Sequence, residues 1–346
     1  MLLPDALDPD RSRVMERIGV VGAGAWGTTL AKLLAEKGHS VTLWAWEREL
    51  VITMAKEREN GLYLPGVELP ETLEITNSLI EVAQGCSAIV LVTPSHVLRS
   101  MCEELLSRIQ ESTPIIVATK GLEPNSCLTM LQVLHEIDPA RRTLAVLSGP
   151  TFAKEVSRGL PAAAVAASSE PAVATRVQGL LSTTGFRVYA GSDPLGVELG
   201  GAVKNVIAIA AGIVDGLGLG HNALAALITR GLHEMTRLGV AMGARAETFA
   251  GLAGLGDLVL TCTGDLSRNR QLGLALGRGA ALSELLQRSP TVKEGVNASK
   301  GAVELAHRVS VDMPICQETY AVLFEQRSPQ EAVANLLGRT LKSEEA

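Results

Sequence analysis

Residues 18 to 46 follow the order strand, glycine turn, helix, strand, and few folds accommodate that order. Ile18 to Val21 is a short apolar strand, Gly22-Ala-Gly-Ala-Trp-Gly27 a glycine turn, Thr28 to Lys37 a helix ended by Gly38, and Ser40 to Trp46 a second strand. In a GxGxxG turn the first glycine permits the tight bend, the second lets backbone approach a pyrophosphate, and the third allows the helix to pack closely. Gly22, Gly24 and Gly27 hold those places here. The helix start beyond them offers free amides and a positive dipole end to phosphate. The expectation is a dinucleotide-binding, Rossmann-type domain with a mainly parallel sheet, in the α/β class.

Three further apolar runs, Ala88 to Val92, Ile115 to Ala118 and Leu144 to Leu147, lie far enough apart for the crossover helices that parallel strands require. Each runs into a small or polar cluster: Thr93-Pro-Ser-His96, Thr119-Lys-Gly121 and Ser148-Gly-Pro-Thr151. In an open doubly wound sheet the ligand crevice lies outside the carboxyl ends of the strands, so these clusters should meet the glycine turn along one edge. Lys120 is then a site residue rather than a surface charge. Gly149 and Thr151 read equally as site residues or as part of an ordinary Gly-Pro turn. Ala162 to Ala167 and Phe186 to Tyr189 complete the expected sheet.

The 346 residues are 47% hydrophobic and 20% charged, with a formal net charge of −6. This is the composition of a soluble globular protein with room for about two domains. The acidic balance argues against nucleic acid or an anionic membrane as the main partner, so an anionic ligand would need local cations. Cys86, Cys102, Cys127, Cys262 and Cys316 are odd in number and include no CxxC pair, which fits reduced thiols in the cytoplasm. The histidines show no metal-ligand spacing, so no metal is expected. The opening Met-Leu-Leu-Pro-Asp-Ala-Leu-Asp-Pro-Asp lacks a leader pattern. Residues 1–16 read as a loose extension, with Met15 resembling a natural start, and residues 17–198 as the nucleotide-binding domain.

Between Leu199 and Val214 a long apolar, glycine-rich run holds Lys204 as its one charged residue. The run falls short of the roughly 17 to 18 residues of a membrane span, so a buried helix is expected. Desolvation disfavours an ammonium and moves a buried lysine from about 10.4 toward neutrality, where it can give and take protons. The alternative is a lysine that snorkels from a core helix to water. Helical spacing then dominates: Ala223 to Arg237, Gln271 to Gly277, Ser299 to Arg308, Gln317 to Gln326 and Pro329 to Leu337. Residues 199–341 are therefore expected to form an all-helical second domain. Within it Gly254-Leu-Gly-Asp257 sets a carboxylate after a glycine turn, and Ser267, Arg268 and Asn269 open a helix suited to phosphate. On the residues alone, Asp257 and Ser267 read equally as N-caps.

Taken in order, Gly22-Ala-Gly-Ala-Trp-Gly27, Pro94-Ser-His96, Ala118-Thr-Lys-Gly-Leu122, Ser148-Gly-Pro-Thr-Phe-Ala153, Gly200-Gly-Ala-Val-Lys-Asn205, Gly254-Leu-Gly-Asp257 and Ser267-Arg-Asn-Arg270 form one set. The set resembles the bacterial NAD(P)-dependent glycerol-3-phosphate dehydrogenase family over about Ile18 to Leu341. The resemblance implies a Rossmann-type domain followed by an all-helical one, with the active site between them, in a homodimer. It implies interconversion of dihydroxyacetone phosphate and sn-glycerol 3-phosphate with NAD(H) or NADP(H), feeding phospholipid synthesis. A related hydroxyacid dehydrogenase or a non-catalytic NADH-sensing protein are the rival readings.

By the same resemblance, Lys204 is the general acid/base and shares the substrate with Lys120 and Asp257. Ser267, Arg268 and Asn269 match substrate-binding positions, as do Gly149 and Thr151. Ala25, Trp26, Trp46, Ala153, Arg268, Val292 and Glu294 fall at cofactor positions, beside the glycines and Lys120. Where many members carry His or Arg, this chain has Trp46-Glu47. An acidic group about 20 residues beyond the fingerprint favours a free ribose hydroxyl over a 2′-phosphate. The expectation is that NADH serves at least as well as NADPH.

Overall fold

A computed structural model describes residues 15–140, 143–288, 293–341 and 343–344. Residues 1–14 of the expected extension, and Val292, lie outside the described residues; of Glu294 only its place in the helix Lys293–Arg308 is described. Eight strands form one sheet: β1 (Arg17–Val21), β2 (Ser40–Trp44), β3 (Glu74–Thr76), β4 (Ala88–Leu91), β5 (Ile115–Val117), β6 (Leu144–Ser148), β7 (Ala162–Ala167) and β8 (Phe186–Gly191). Their order is β3-β2-β1-β4-β5-β6-β7-β8. Every pairing is parallel except β6 with β7. Parallel return needs a full crossover, and residues 149–161 hold only the short helix Ala153–Val156, so the chain doubles back antiparallel.

The strands read from the sequence are present, and β3 is an addition. Half-polar and short, its run Glu-Ile-Thr carries little strand signal. β2 ends at Trp44, leaving Trp46 and Glu47 in the turn beyond it. The first helix spans Ala25–Glu36 and starts inside the glycine turn.

Beyond the sheet the described chain is helical from Pro194. The helix Pro194–Gly216 begins five residues earlier than the apolar run suggested, with Pro194 in its first turn and the Asp193 carboxylate accepting from Gly196 N at 3.0 Å. Its 23 residues are long and apolar enough to cross a membrane by length and composition, and their apolar window is wholly buried among other elements. A surrounded helix can be apolar on every side. Glycines let its neighbour come close: a Cβ at Gly212 would stand 2.0 Å from Arg270 O, and one at Gly273 1.9 Å from Ile209 O. Backbone thus meets backbone between this helix and Arg268–Gly277, fixing where the second helix starts.

Candidate active site

The glycine turn has the shape a pyrophosphate requires. Gly22 sits at φ +117°, a conformation that side chains rarely adopt, and a Cβ on Gly27 would lie 1.8 Å from Gly22 O. Gly24 has nothing within 4 Å of its Cβ position, so the backbone there is open to an incoming group. Gly24 caps the helix Ala25–Glu36 without a side-chain acceptor, leaving the amides of Ala25 and Trp26 available. The Trp26 ring packs edge-on against Phe186, so its backbone is what can meet a phosphate. The Ala23 carbonyl is drawn away by Asn60 Nδ2 at 2.8 Å. These residues fit a dinucleotide.

Lys120 follows β5 at the same sheet edge, where Thr119 Oγ1 donates to Thr93 O at 2.7 Å and ties the β5 end to that of β4. Lys120 Nζ donates to Gly149 O at 3.0 Å, and glycine is required at 149 twice over, by φ +148° and by a Cβ position only 2.8 Å from Ala164 Cα. Thr151 Oγ1 turns back to Gly149 O at 3.2 Å. Ala153 O accepts from Thr29 Oγ1 at 3.2 Å, which holds this turn against the nucleotide-binding helix.

Across from Lys120 stands Lys204, a residue 6% exposed, midway along the Pro194–Gly216 helix. It does not snorkel. Its Nζ donates to Asp257 Oδ1 at 2.5 Å and to Thr261 Oγ1 at 2.9 Å, while Lys120 Nζ takes Asp257 Oδ2 at 2.8 Å. Burial pulls the Lys204 ammonium down to about 8, against the upward pull of the Asp257 carboxylate. Asp257 follows a π-helical turn, Leu252–Gly256, and opens the helix Asp257–Thr263. It spends its carboxylate on the two lysines rather than on an N-cap.

Ser267 is an N-cap, its Oγ accepting from Arg270 N at 3.2 Å. Asn269 Nδ2 donates to Asn205 Oδ1 at 2.9 Å, next to Lys204 in sequence. Arg270 is held by Asp215 and Asp265, whereas Arg268 is exposed and has no hydrogen bond or ion pair among the described residues. The helix start therefore offers a free guanidinium beside the helix that carries Lys204. Trp46 is 79% exposed and meets Trp44 edge-on, and the Glu47 carboxylate accepts from Tyr63 Oη at 2.9 Å.

The structure gathers Lys120, Lys204 and Asp257 at one point and adds Thr261, which the sequence reading missed. Thr261 stands four residues after Asp257 on one helix face, a spacing that could have flagged it. Asn60 and Tyr63 had no comparable local signal.

The description NAD-dependent glycerol-3-phosphate dehydrogenase N-terminus matches residues 17–174, and its C-terminus counterpart matches residues 193–334. A glycerol-3-phosphate dehydrogenase [NAD(P)+] from Geobacter sulfurreducens is 56% identical over 331 residues, covering 95% of this chain and 99% of the relative. Among solved structures, glycerol-3-phosphate dehydrogenase from Coxiella burnetii superposes with TM-score 0.89 at 41% identity, covering 94% of this chain and 99% of that one. The Saccharomyces cerevisiae glycerol-3-phosphate dehydrogenase does so with TM-score 0.80 at 25% identity, covering 94% and 100%.

Proposed function

The chain belongs to the NAD-dependent glycerol-3-phosphate dehydrogenase family, and we propose that Lys204, Lys120 and Asp257 carry its reaction. It is an NAD(P)-dependent oxidoreductase that interconverts dihydroxyacetone phosphate and glycerol 3-phosphate. The glycine turn holds the cofactor's pyrophosphate through the amides of Ala25 and Trp26. When bound, the reduced nicotinamide supplies the hydride for the C2 carbonyl.

The observation that carries the site reading is the sharing of one buried carboxylate by two ammonium groups. Each ammonium has three donors. Lys120 uses two on Gly149 O and Asp257, and Lys204 two on Asp257 and Thr261. One donor on each is left for a ligand oxygen. Two cations and one anion leave the pocket positive, which favours negative charge growing on the oxygen at C2. Lys204 Nζ delivers its proton to that oxygen and is left as a neutral amine, which a value near 8 makes accessible. Lys120 holds the same oxygen through its remaining donor.

The substrate phosphate lies at the start of the helix Arg268–Gly277, with Arg268 and Asn269 as donors and the dipole adding to them. Gly149, Thr151 and Ser267 shape the wall between phosphate and carbonyl. Trp46, Glu47 and Ala153 complete the cofactor side, and Glu47 favours a free 2′-hydroxyl. The cofactor rests on the sheet and the substrate in the cleft against the helices. The family resemblance supports a cytoplasmic homodimer whose product serves phospholipid synthesis. Turnover of dihydroxyacetone phosphate with NADH, followed at the nicotinamide absorbance, tests the reading, and loss of that turnover in Lys204→Met is the expected result.

A further inference from the structure

The segment between the helix Arg48–Glu57 and β3 connects two parts of the nucleotide site. It leaves that helix through Arg58 in a left-handed conformation, φ 51°, and closes on itself where Glu59 bridges Glu68 and Leu69 N donates to Arg58 O at 2.7 Å. Inside this closed loop Asn60 is fully buried. Its Nδ2 donates to Ala23 O and to Thr28 Oγ1, both at 2.8 Å, so it grips the glycine turn on both sides of Gly24. Its Oδ1 accepts from Tyr63 N at 3.0 Å, fixing the backbone of Tyr63. The Tyr63 ring packs against the sheet core, and its hydroxyl donates to Glu47 Oε1 at 2.9 Å. Glu47 Oε2 has no partner among the described residues. A carboxylate on a flexible stem would otherwise turn toward water, and the exposed Arg48 is the next residue.

We propose that Tyr63 is a positioning residue for cofactor choice: its hydroxyl fixes Glu47 with one oxygen engaged and the other open to the ribose hydroxyls, on the loop that Asn60 pins to the phosphate-binding turn. The inference rests on the reading of Glu47 as the ribose acceptor. A 2′-phosphate brought against a carboxylate that cannot swing aside meets like charge. With the tether cut, Glu47 can leave and Arg48 can approach that phosphate, so discrimination should shrink.

The test is direct binding of NADH and NADPH, by nicotinamide fluorescence titration, to wild type, Tyr63→Phe, Glu47→Gln and the double variant. Tyr63→Phe removes one oxygen and keeps the ring, and its unfolding midpoint reports that the fold is retained. A hydrogen bond to a charged group corresponds to roughly 10- to 150-fold in affinity, so the ratio of the NADPH to the NADH dissociation constant should fall at least about fivefold in Tyr63→Phe. In the Glu47→Gln background the same change should leave the ratio unmoved, because Tyr63 acts through the carboxylate. An unchanged ratio in Tyr63→Phe, or an equal fall in both backgrounds, overturns the positioning role. Equal ratios in wild type and Glu47→Gln overturn the reading of Glu47, and the role of Tyr63 with it.

Discussion

Lys204 Nζ lies 2.5 Å from Asp257 Oδ1, and the contact is fixed by backbone as well as by side chains. A Cβ at Gly200, one turn before Lys204, would stand 2.6 Å from Ala253 O in the π-helical turn that leads to Asp257. The two helices therefore touch main chain to main chain just before the charged pair. An ion pair taken out of water needs fixed geometry and further hydrogen bonds to be sustained, and Lys120 and Thr261 supply these.

The depressed ammonium sets a pH dependence with opposite signs in the two directions. In carbonyl reduction Lys204 must arrive protonated, so kcat/KM should fall as pH rises through about 8. In alcohol oxidation the neutral amine is required, so kcat/KM should rise over the same interval. Lys204→Met should lower kcat about 10² to 10⁴-fold and flatten both profiles, with NADH binding little changed. Retention of more than about a tenth of wild-type turnover would reject the assignment.

Arg268 is the free guanidinium at the predicted phosphate end. Losing a charged hydrogen bond of about 1.5 to 3 kcal/mol corresponds to roughly a 10- to 150-fold drop in kcat/KM for dihydroxyacetone phosphate in Arg268→Ala. Stability should hardly change, since the side chain is exposed and has no protein partner among the described residues. Steady-state kinetics that leave kcat/KM unaltered place the phosphate elsewhere.

Gly24 and Gly27 lie three residues apart and should fail differently. A methyl at Gly24 meets no protein atom within 4 Å, so Gly24→Ala should fold normally and lose NADH affinity, because the methyl fills the space that the pyrophosphate needs. A methyl at Gly27 would meet Gly22 O at 1.8 Å, so Gly27→Ala should lose about 1 to 3 kcal/mol of stability as well. Urea midpoints read beside NADH titrations separate the two. Equal midpoints for both variants would contradict the packing role of Gly27.

Much of this was legible in the sequence because it is local. The glycine turn needs only neighbouring residues, and strand ends mark the crevice edge by topology, which is how Lys120 was found. Lys204 was conspicuous as the one charged residue of a long apolar run. What escaped depends on distant parts of the chain meeting. Asn60 and Tyr63 are ordinary residues in a loop until that loop closes on Ala23 and Glu47. The π-helical turn before Asp257 read as a glycine turn, and the antiparallel β7 followed from a connection too short for a parallel return.

Glu198 sits on the Lys204 helix, buried, and accepts from Leu131 N at 2.9 Å at the start of the helix Met130–Ile137. Burial pushes its carboxyl up to about 7, although the bonds from Leu131, Thr129 and Met130 favour the charged form. Between the ordinary value of 4.5 and about 7 the folded chain keeps a proton that the unfolded chain has released. Stability from this group is thus fully present below that window and is lost as pH rises through it. Glu198→Gln stays neutral at every pH and still offers an oxygen to Leu131 N. The variant should therefore gain on wild type between pH 5 and pH 8. Urea midpoints of both proteins at the two pH values measure the effect, and Glu234, whose carboxyl is also pushed up to about 7, cancels because it is present in both. A difference between variant and wild type that is the same at both pH values would show that Glu198 enters the folded state with its ordinary acidity.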